Sequence, residues 1–593
     1  MDLIMQSNAL KLVKSIMDRS VSTTPIIAAN PQKTAVAGGG HSSQPLDRAT
    51  PESQGIDSGY IGEYLNELLR CPKSRIHTLT IMRNGKIISQ TSPFPYRSDV
   101  WHISHSYCKS VTGLAIGILV GEGKLSLDDK ASKFFARSSM MLGMPRTRLI
   151  TVRQLLTMSS GVVFNEVGTV TELDWVRSFF ESGSRFESGT QFSYNSMNTY
   201  ILSAIVKQIS GQGLSEFLGE RVLSKMGIAD FYWEKCPMGI EKGGMGLYMR
   251  PEDMAKIGQL YLQKGSWNGE QLVPAEWCEQ AVKAQISVPE SLGDYDYGYQ
   301  MWVRKERNWF VLNGMFGQNV LVFPDSGIIV AATAGNSDMF QKNAYFTLTE
   351  KYFGELMPDT PKHESFFATR KLRALESELA SKPQPKMSFW RRSGLTEDTN
   401  ELVAAYVGKS FALDRAEGMS VGLLPLMTQA IQNNYTKGVQ MLSLSKKEDK
   451  LWVELFEEDE SHSFPVGFER AEYVTLDFHG EKYEVGVSGD FVRNEDGIPV
   501  LKLLIAFLEI PNERIIKIYF DSDSEITVKW KENPGRECVI AGVKSIFASS
   551  ADTKLLNSIT GSLDSAFPAY LIKSVFEPEV SGRLYDGESD TEK

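Results

Sequence analysis

Between residues 76 and 333 the sequence is strand-like at both ends and helical in the middle, and that constrains the fold more than any other feature. From Ile76 to Gln90 apolar and polar residues alternate around Asn84-Gly85, a two-residue hairpin signal. A helix-rich stretch runs from Ser106 to about Ala284. One of its helices opens at Pro251, with proline in the first turn, and continues through Met254, Ile257, Leu260 and Tyr261. Strands return as a meander: Tyr299 to Val303, Trp309 to Asn313, Asn319 to Phe323 and Ile328 to Thr333. Such an order predicts an α+β domain, with one antiparallel sheet assembled from both ends of the segment and helices packed on it.

The texture changes after a charged helix (about Phe367 to Ser381) and the Pro-containing stretch Lys382 to Lys386. Short strand-like runs follow at 440–444, 451–456, 473–478, 483–487, 501–509, 515–520 and 526–530, separated by charged turns. They predict an antiparallel sandwich or small barrel. The expected organisation is a mobile leader over 1–45, a first domain over 46–365, a helix and linker over 366–400, a C-terminal β domain over 401–576 and an acidic, loose tail over 577–593.

Chemistry concentrates at Ser106-Tyr107-Cys108-Lys109, where Val111, Leu114, Ala115, Ile118 and Leu119 recur at helical spacing and Gly121 and Gly123 supply the stop. Ser-x-x-Lys at a helix start sets a hydroxyl and an amine one turn apart on one face. It also places the serine N–H among the unpaired donors of the first turn. Nucleophile, proton acceptor and half an oxyanion hole are thereby present. Taken alone the tetrad also fits a helix cap, and Ser443-Leu444-Ser445-Lys446 repeats the pattern in a strand-like stretch. A serine hydroxyl needs a base, and Lys109 and a tyrosine are the candidates. Tyr194 lies in Phe192-Ser193-Tyr194-Asn195-Ser196, just ahead of an apolar helix.

Other chemistries recede. None of the seven histidines has metal-ligand spacing, and the chain lacks a G-x-S-x-G elbow, a P-loop and a G-x-G-x-x-G, so neither a metal nor a cofactor is called for. The formal charge of −10, with no Lys/Arg-rich block, argues against nucleic acid. No apolar run is long enough to cross a bilayer, so no membrane partner is expected. Five scattered cysteines and the absence of a secretory pattern at the start point to a reducing, cytoplasmic setting. His102 and His105, which flank the tetrad, read as packing residues.

Several ordered segments carry a resemblance over about residues 46–345. They are Arg48 to Ile56, Ser106 to Ser110, Glu122 to Asp129, Gly189 to Ser196, Asp253 to Gly258, Tyr297-Gly298-Tyr299 and Gly314 to Gln318. Together they make the chain similar to the serine hydrolases related to penicillin-binding proteins and class C β-lactamases, a family that includes esterases, D-amino-acid peptidases and 6-aminohexanoate-oligomer hydrolases. The resemblance implies that Ser106 is acylated, that Lys109 and Tyr194 share the work of the base, and that the N–H groups of Ser106 and Met315 form the oxyanion hole. It places Ser196, Asn313, Gly314 and Tyr299 around a substrate that is a small ester, an amide or a short peptide. Trp175, Tyr299 and Trp302 read either as pocket walls or as core aromatics. A homo-oligomer is compatible with this reading.

Two positions depart from the family pattern. Serine stands at 196 where many relatives carry asparagine, and the third motif, usually Lys-Thr-Gly or His-x-Gly, is Leu312-Asn313-Gly314. Leu312 cannot pair with a substrate carboxylate, so weak β-lactam turnover is expected. Lys242-Gly243-Gly244 lies ahead of a helix N-terminus and is not expected to replace that motif.

Overall fold

The computed structural model describes residues 33–36, 44–135, 146–166, 168–338, 344–381, 397–414, 418–458, 460–535 and 575–585. The expected sheet forms from both ends of its segment. The hairpin Ile76–Arg83 and Lys86–Thr91 is one edge, followed by Ile328–Ala334, Gln318–Phe323, Phe310–Gly314, Trp302–Arg304, Tyr295–Tyr297 and Ile286–Ser287, eight strands in all. Asn84 and Gly85 both take positive φ (52° and 75°), the backbone a two-residue hairpin turn requires. The first strand pairs antiparallel with the last, with Leu79 opposite Ala332 and Ile81 opposite Val330.

Alternation along the strands feeds two separate cores. Ile81, Val311, Leu321 and Val330 pack with Tyr64, Leu65, Tyr345 and Phe353 from the helices Ser58–Arg70 and Ala344–Phe353. Leu312, Val320, Val322 and Ile329 pack on the opposite face with Val111, Leu114, Met254 and Ile257. Both faces are thus covered, and the helix Pro251–Leu262 comes so close that a Cβ on Gly258 would lie 2.6 Å from Val320 Cγ1. The meander strand expected from Tyr299 begins only at Trp302, because Gln300 has a positive φ of 58° and breaks the extended backbone.

The C-terminal strands close into a near-complete barrel rather than a sandwich. Ten antiparallel strands run in the order Ser461–Pro465, Lys450–Glu457, Val439–Lys447, Ser410–Leu413, Glu579–Leu584, Glu525–Asn533, Glu513–Phe520, Pro499–Phe507, Glu481–Arg493 and Glu472–Phe478. The acidic stretch 577–593, expected to be loose, therefore supplies a strand at Glu579–Leu584, because two edge strands leave a row of unpaired backbone groups for it to fill. The barrel core is continuous with Trp101, Ile103 and Tyr248 of the first domain.

Residues 33–36, within the expected mobile leader, are among the described residues. Lys33 is fully buried, with its Nζ 2.8 Å from Glu509 Oε2 and 4.6 Å from the Tyr483 ring centroid. A buried carboxylate without a cation is costly, and Lys33 supplies the cation. Most of the expected leader, including Leu10 to Met17, and the Pro-containing stretch Lys382 to Lys386 lie outside the described residues.

Candidate active site

The chain enters the site along His102–Ile103, which pairs with Tyr248 and Met249, and then turns through a 3-10 segment, His105–Tyr107, into the helix Cys108–Gly121. His105 takes a positive φ of 46° at that turn. Ser106 thus sits at the head of an apolar helix whose residues from Cys108 to Leu119 are all buried.

One turn on, Lys109 is 1 % exposed and donates to three oxygens. Ser106 Oγ and Ser196 Oγ each lie 2.8 Å from its Nζ, and Gly244 O lies 2.7 Å away. Ser196 is the first residue of the helix Ser196–Ser210, which is capped by the Asn195 side chain. The Asn195 amide group is spent on Val162 O and Phe164 O, at 3.1 and 2.8 Å, so asparagine here shapes the loop and serine faces the amine. The Tyr194 ring stands over the amine, its centroid 4.9 Å from Lys109 Nζ, and stacks on Trp302 at 5.6 Å.

The opposite wall is the end of Phe310–Gly314. A Cβ on Gly314 would enter the contact shell of Ser104 O, so only glycine lets this strand lie against the backbone leading to Ser106. Met315 follows in a turn that gives Phe316 a positive φ of 62°. Asn313 is buried and its Oδ1 accepts from Asn319 Nδ2 at 2.5 Å, which holds the strand end.

The structure therefore brings Ser106, Lys109, Tyr194, Ser196, Asn313, Gly314 and Met315 to one place. Tyr299 does not join them. It is buried, its ring is stacked on Trp277 at 5.3 Å, and its hydroxyl accepts from Arg153 Nη1 at 2.8 Å. Trp175 is likewise core, packed on Tyr200 at 5.1 Å. Leu312 is fully buried, so no cation stands at that position. Burial pushes the His105 imidazole down to about 4 and that of His102 to about 3, which keeps both rings neutral at ordinary pH. Burial pushes the Cys108 thiol up to about 12.

Two groups escaped the sequence reading. Glu166 Oε1 accepts the Ser196 N–H at 2.8 Å, a carboxylate at a helix N-terminus beside the amine. The loop Lys242-Gly243-Gly244 supplies acceptors to the helix Cys108–Gly121: Gly243 O takes Thr112 Oγ1 at 2.8 Å and Cys108 Sγ at 3.1 Å, while Gly244 O takes Lys109. The adjacent glycines are the only signal the sequence offers for that loop. Gly244 is held so closely that a Cβ would lie 2.7 Å from Ser196 O.

This fold is β-lactamase/transpeptidase-like. Residues 77–345 match the sequence model of the Beta-lactamase family. The chain is 26 % identical over 197 residues to an uncharacterized protein of Alkalihalophilus pseudofirmus, a match covering 30 % of this chain and 52 % of that one. It is 22 % identical over 316 residues to a 6-aminohexanoate-dimer hydrolase of Paenarthrobacter ureafaciens, covering 48 % and 79 %. The first of these relatives is thus spanned over about half its length. Among solved structures, the octameric penicillin-binding protein homologue from Pyrococcus abyssi aligns with a TM-score of 0.38 and 16 % identity, over 80 % of this chain and 98 % of that one. Among the described residues no helix is long and apolar enough to cross a membrane.

Proposed function

We propose that the protein is a serine hydrolase that cleaves ester or amide bonds of small molecules or short peptides through an acyl-enzyme on Ser106. The observation that carries this reading is the 2.8 Å contact between Ser106 Oγ and Lys109 Nζ at a helix start. In its neutral form the amine has two N–H groups and one lone pair. The N–H groups go to Gly244 O and Ser196 Oγ, which leaves the lone pair for the Ser106 proton. Ser106 Oγ then bonds to the substrate carbonyl carbon, and the N–H groups of Ser106 and Met315 receive the oxyanion. Each such donor contributes about 3 kcal/mol to transition-state stabilisation. The proton passes from Lys109 to the leaving alcohol or amine as its bond to the acyl carbon breaks. Water, deprotonated by the same Lys109–Tyr194 pair, then releases the acid and restores the serine.

Similarity to a 6-aminohexanoate-dimer hydrolase supports keeping amides beside esters as substrates.

Intact-mass measurement after exposure to a fluorophosphonate, a penicillin and a panel of p-nitrophenyl esters tests the reading. The wild type is expected to gain one phosphonyl group and to turn over esters continuously, whereas Ser106→Ala and Lys109→Ala do neither. A single stoichiometric ester adduct without turnover would instead make the protein an acylable receptor. Unlabelled wild type would overturn the assignment of Ser106.

A further inference from the structure

A short helix of the barrel domain, Leu426–Gln432, reaches the site. Its first turn is fixed from behind: Glu532, buried and 3.4 Å from Arg514 Nη1, accepts the N–H groups of Leu426 at 2.7 Å and Met427 at 3.4 Å. From that anchor the helix touches the hydrolase domain at both sides of the cluster. Met427 packs against Phe316, the residue that follows Met315 in the turn carrying the second oxyanion donor. Five residues on, Gln432 Nε2 donates to Glu234 Oε1 and lies 3.4 Å from the Tyr248 hydroxyl.

Glu234 is a fully enclosed carboxylate in the first domain, and it organises the loop that receives Lys109. Its Oε2 pairs with Lys242 Nζ at 2.7 Å. Its backbone donates to Gly246 O at 2.8 Å and accepts from Lys242 N at 2.9 Å. A Cβ on Gly246 would lie 2.6 Å from Glu234 Oε2, so loop and carboxylate pack without space between them. Two residues after Lys242, Gly244 O accepts from Lys109. A continuous set of contacts thus runs from the barrel through Gln432, Glu234 and the Lys242–Gly246 loop to the amine.

We propose that this barrel helix is a positioning element for the acyl-transfer site, with Gln432 holding the loop that orients Lys109 and Met427 holding the turn that presents the Met315 N–H. The inference rests on the reading of Ser106 and Lys109 given above. Neither residue touches substrate. Each acts through a group that does, and a shift of about 1 Å at such a group costs on the order of a hundredfold in rate.

The test uses the full-length chain and p-nitrophenyl acetate, with kcat expressed per fluorophosphonate-labelled serine so that unfolded molecules are not counted. Gln432→Met removes the donor at nearly constant volume. Met427→Ala removes packing from a half-buried residue and leaves every hydrogen bond in place, so one variant remains informative if the other fails to fold. Each is expected to lower kcat and the labelling rate at least tenfold, with KM within twofold of wild type. Lys450→Ala, on the barrel's exposed surface, is expected to leave both unchanged. The double variant Gln432→Met/Glu234→Gln is expected to be no slower than Glu234→Gln alone. Wild-type kcat per labelled serine in both Gln432→Met and Met427→Ala would overturn this inference and leave the acyl-enzyme standing. A wild type that does not label at Ser106 would overturn both.

Discussion

The imidazole of His105 and the ring of Phe316 meet edge to face, with centroids 5.7 Å apart, and both residues have left-handed backbones. One precedes Ser106 and the other follows Met315, so the two donors assigned to the oxyanion are each adjacent to a non-glycine residue with positive φ. Such conformations cost about 1–3 kcal/mol each and persist only where packing holds them. Here each ring holds the other.

Asparagine tolerates a left-handed backbone and valine does not. His105→Asn is therefore expected to fold with near-wild-type stability while losing the contact with Phe316, and its rate of serine labelling should fall. His105→Val should be less stable than His105→Asn by roughly 1–2 kcal/mol, measured by urea denaturation. Equal stabilities would show that the φ of 46° exerts no constraint.

The buried histidines set an acid limit. In the folded chain His105 and His102 titrate at about 4 and about 3, against 6.5 for an exposed imidazole. Between those values and 6.5 the unfolded chain binds protons that the folded chain refuses, so stability is complete above 6.5 and falls as pH drops through this window. At pH 5 each ring is expected to cost about 2 kcal/mol relative to pH 7.5. His102→Gln should flatten that dependence in a series of melting curves. An unchanged slope would mean that His102 is protonated in the folded state.

The third motif is expected to limit β-lactam chemistry. Leu312 is fully buried in the core that includes Tyr107, Val111 and Leu114, so the site lacks the cation that would pair with a β-lactam carboxylate at that position. Nitrocefin turnover should stay far below ester turnover. Leu312→Lys should not install it, because an unpaired ammonium placed in that core costs several kcal/mol and lowers Tm instead. Nitrocefin hydrolysis by the wild type as fast as its ester hydrolysis would refute this.

What the sequence made legible was local. The hairpin, the meander and most barrel strands follow from alternation, and the Ser106–Lys109 pair from one turn of helix. The resemblance assigns Tyr299 to the substrate, with a core aromatic as the other reading, and the structure gives the core: its ring stacks on Trp277 ahead of the strand that begins at Trp302. Gly244 O and Glu234 were invisible for another reason. A backbone acceptor has no residue type, and a loop carboxylate acquires meaning only when the chain folds over it. Glu579–Leu584 read as tail because its partners, at 410–413 and 525–533, are distant in sequence.

Lys33 was hidden likewise, within a stretch rich in glycine, serine and alanine. Its ammonium lies among Tyr483, Tyr248 and Trp101, with ring centroids 4.6, 5.6 and 6.0 Å away, and pairs with Glu509. Glu509 in turn accepts from Trp101 Nε1 and, at 2.9 Å, from the Glu484 N–H, while its carbonyl takes the Ile103 N–H at 2.8 Å. The pair therefore sits where the barrel meets the strand leading to Ser106. Lys33→Met leaves Glu509 buried without a cation and is expected to destabilise the protein by about 3–5 kcal/mol. Glu509→Gln in the same chain removes the stranded charge, so the double variant should recover most of that loss. If Lys33→Met unfolds at the wild-type urea midpoint, the ammonium contributes nothing to the junction, and the barrel is held on the first domain by apolar contacts such as those of Trp101 and Tyr248.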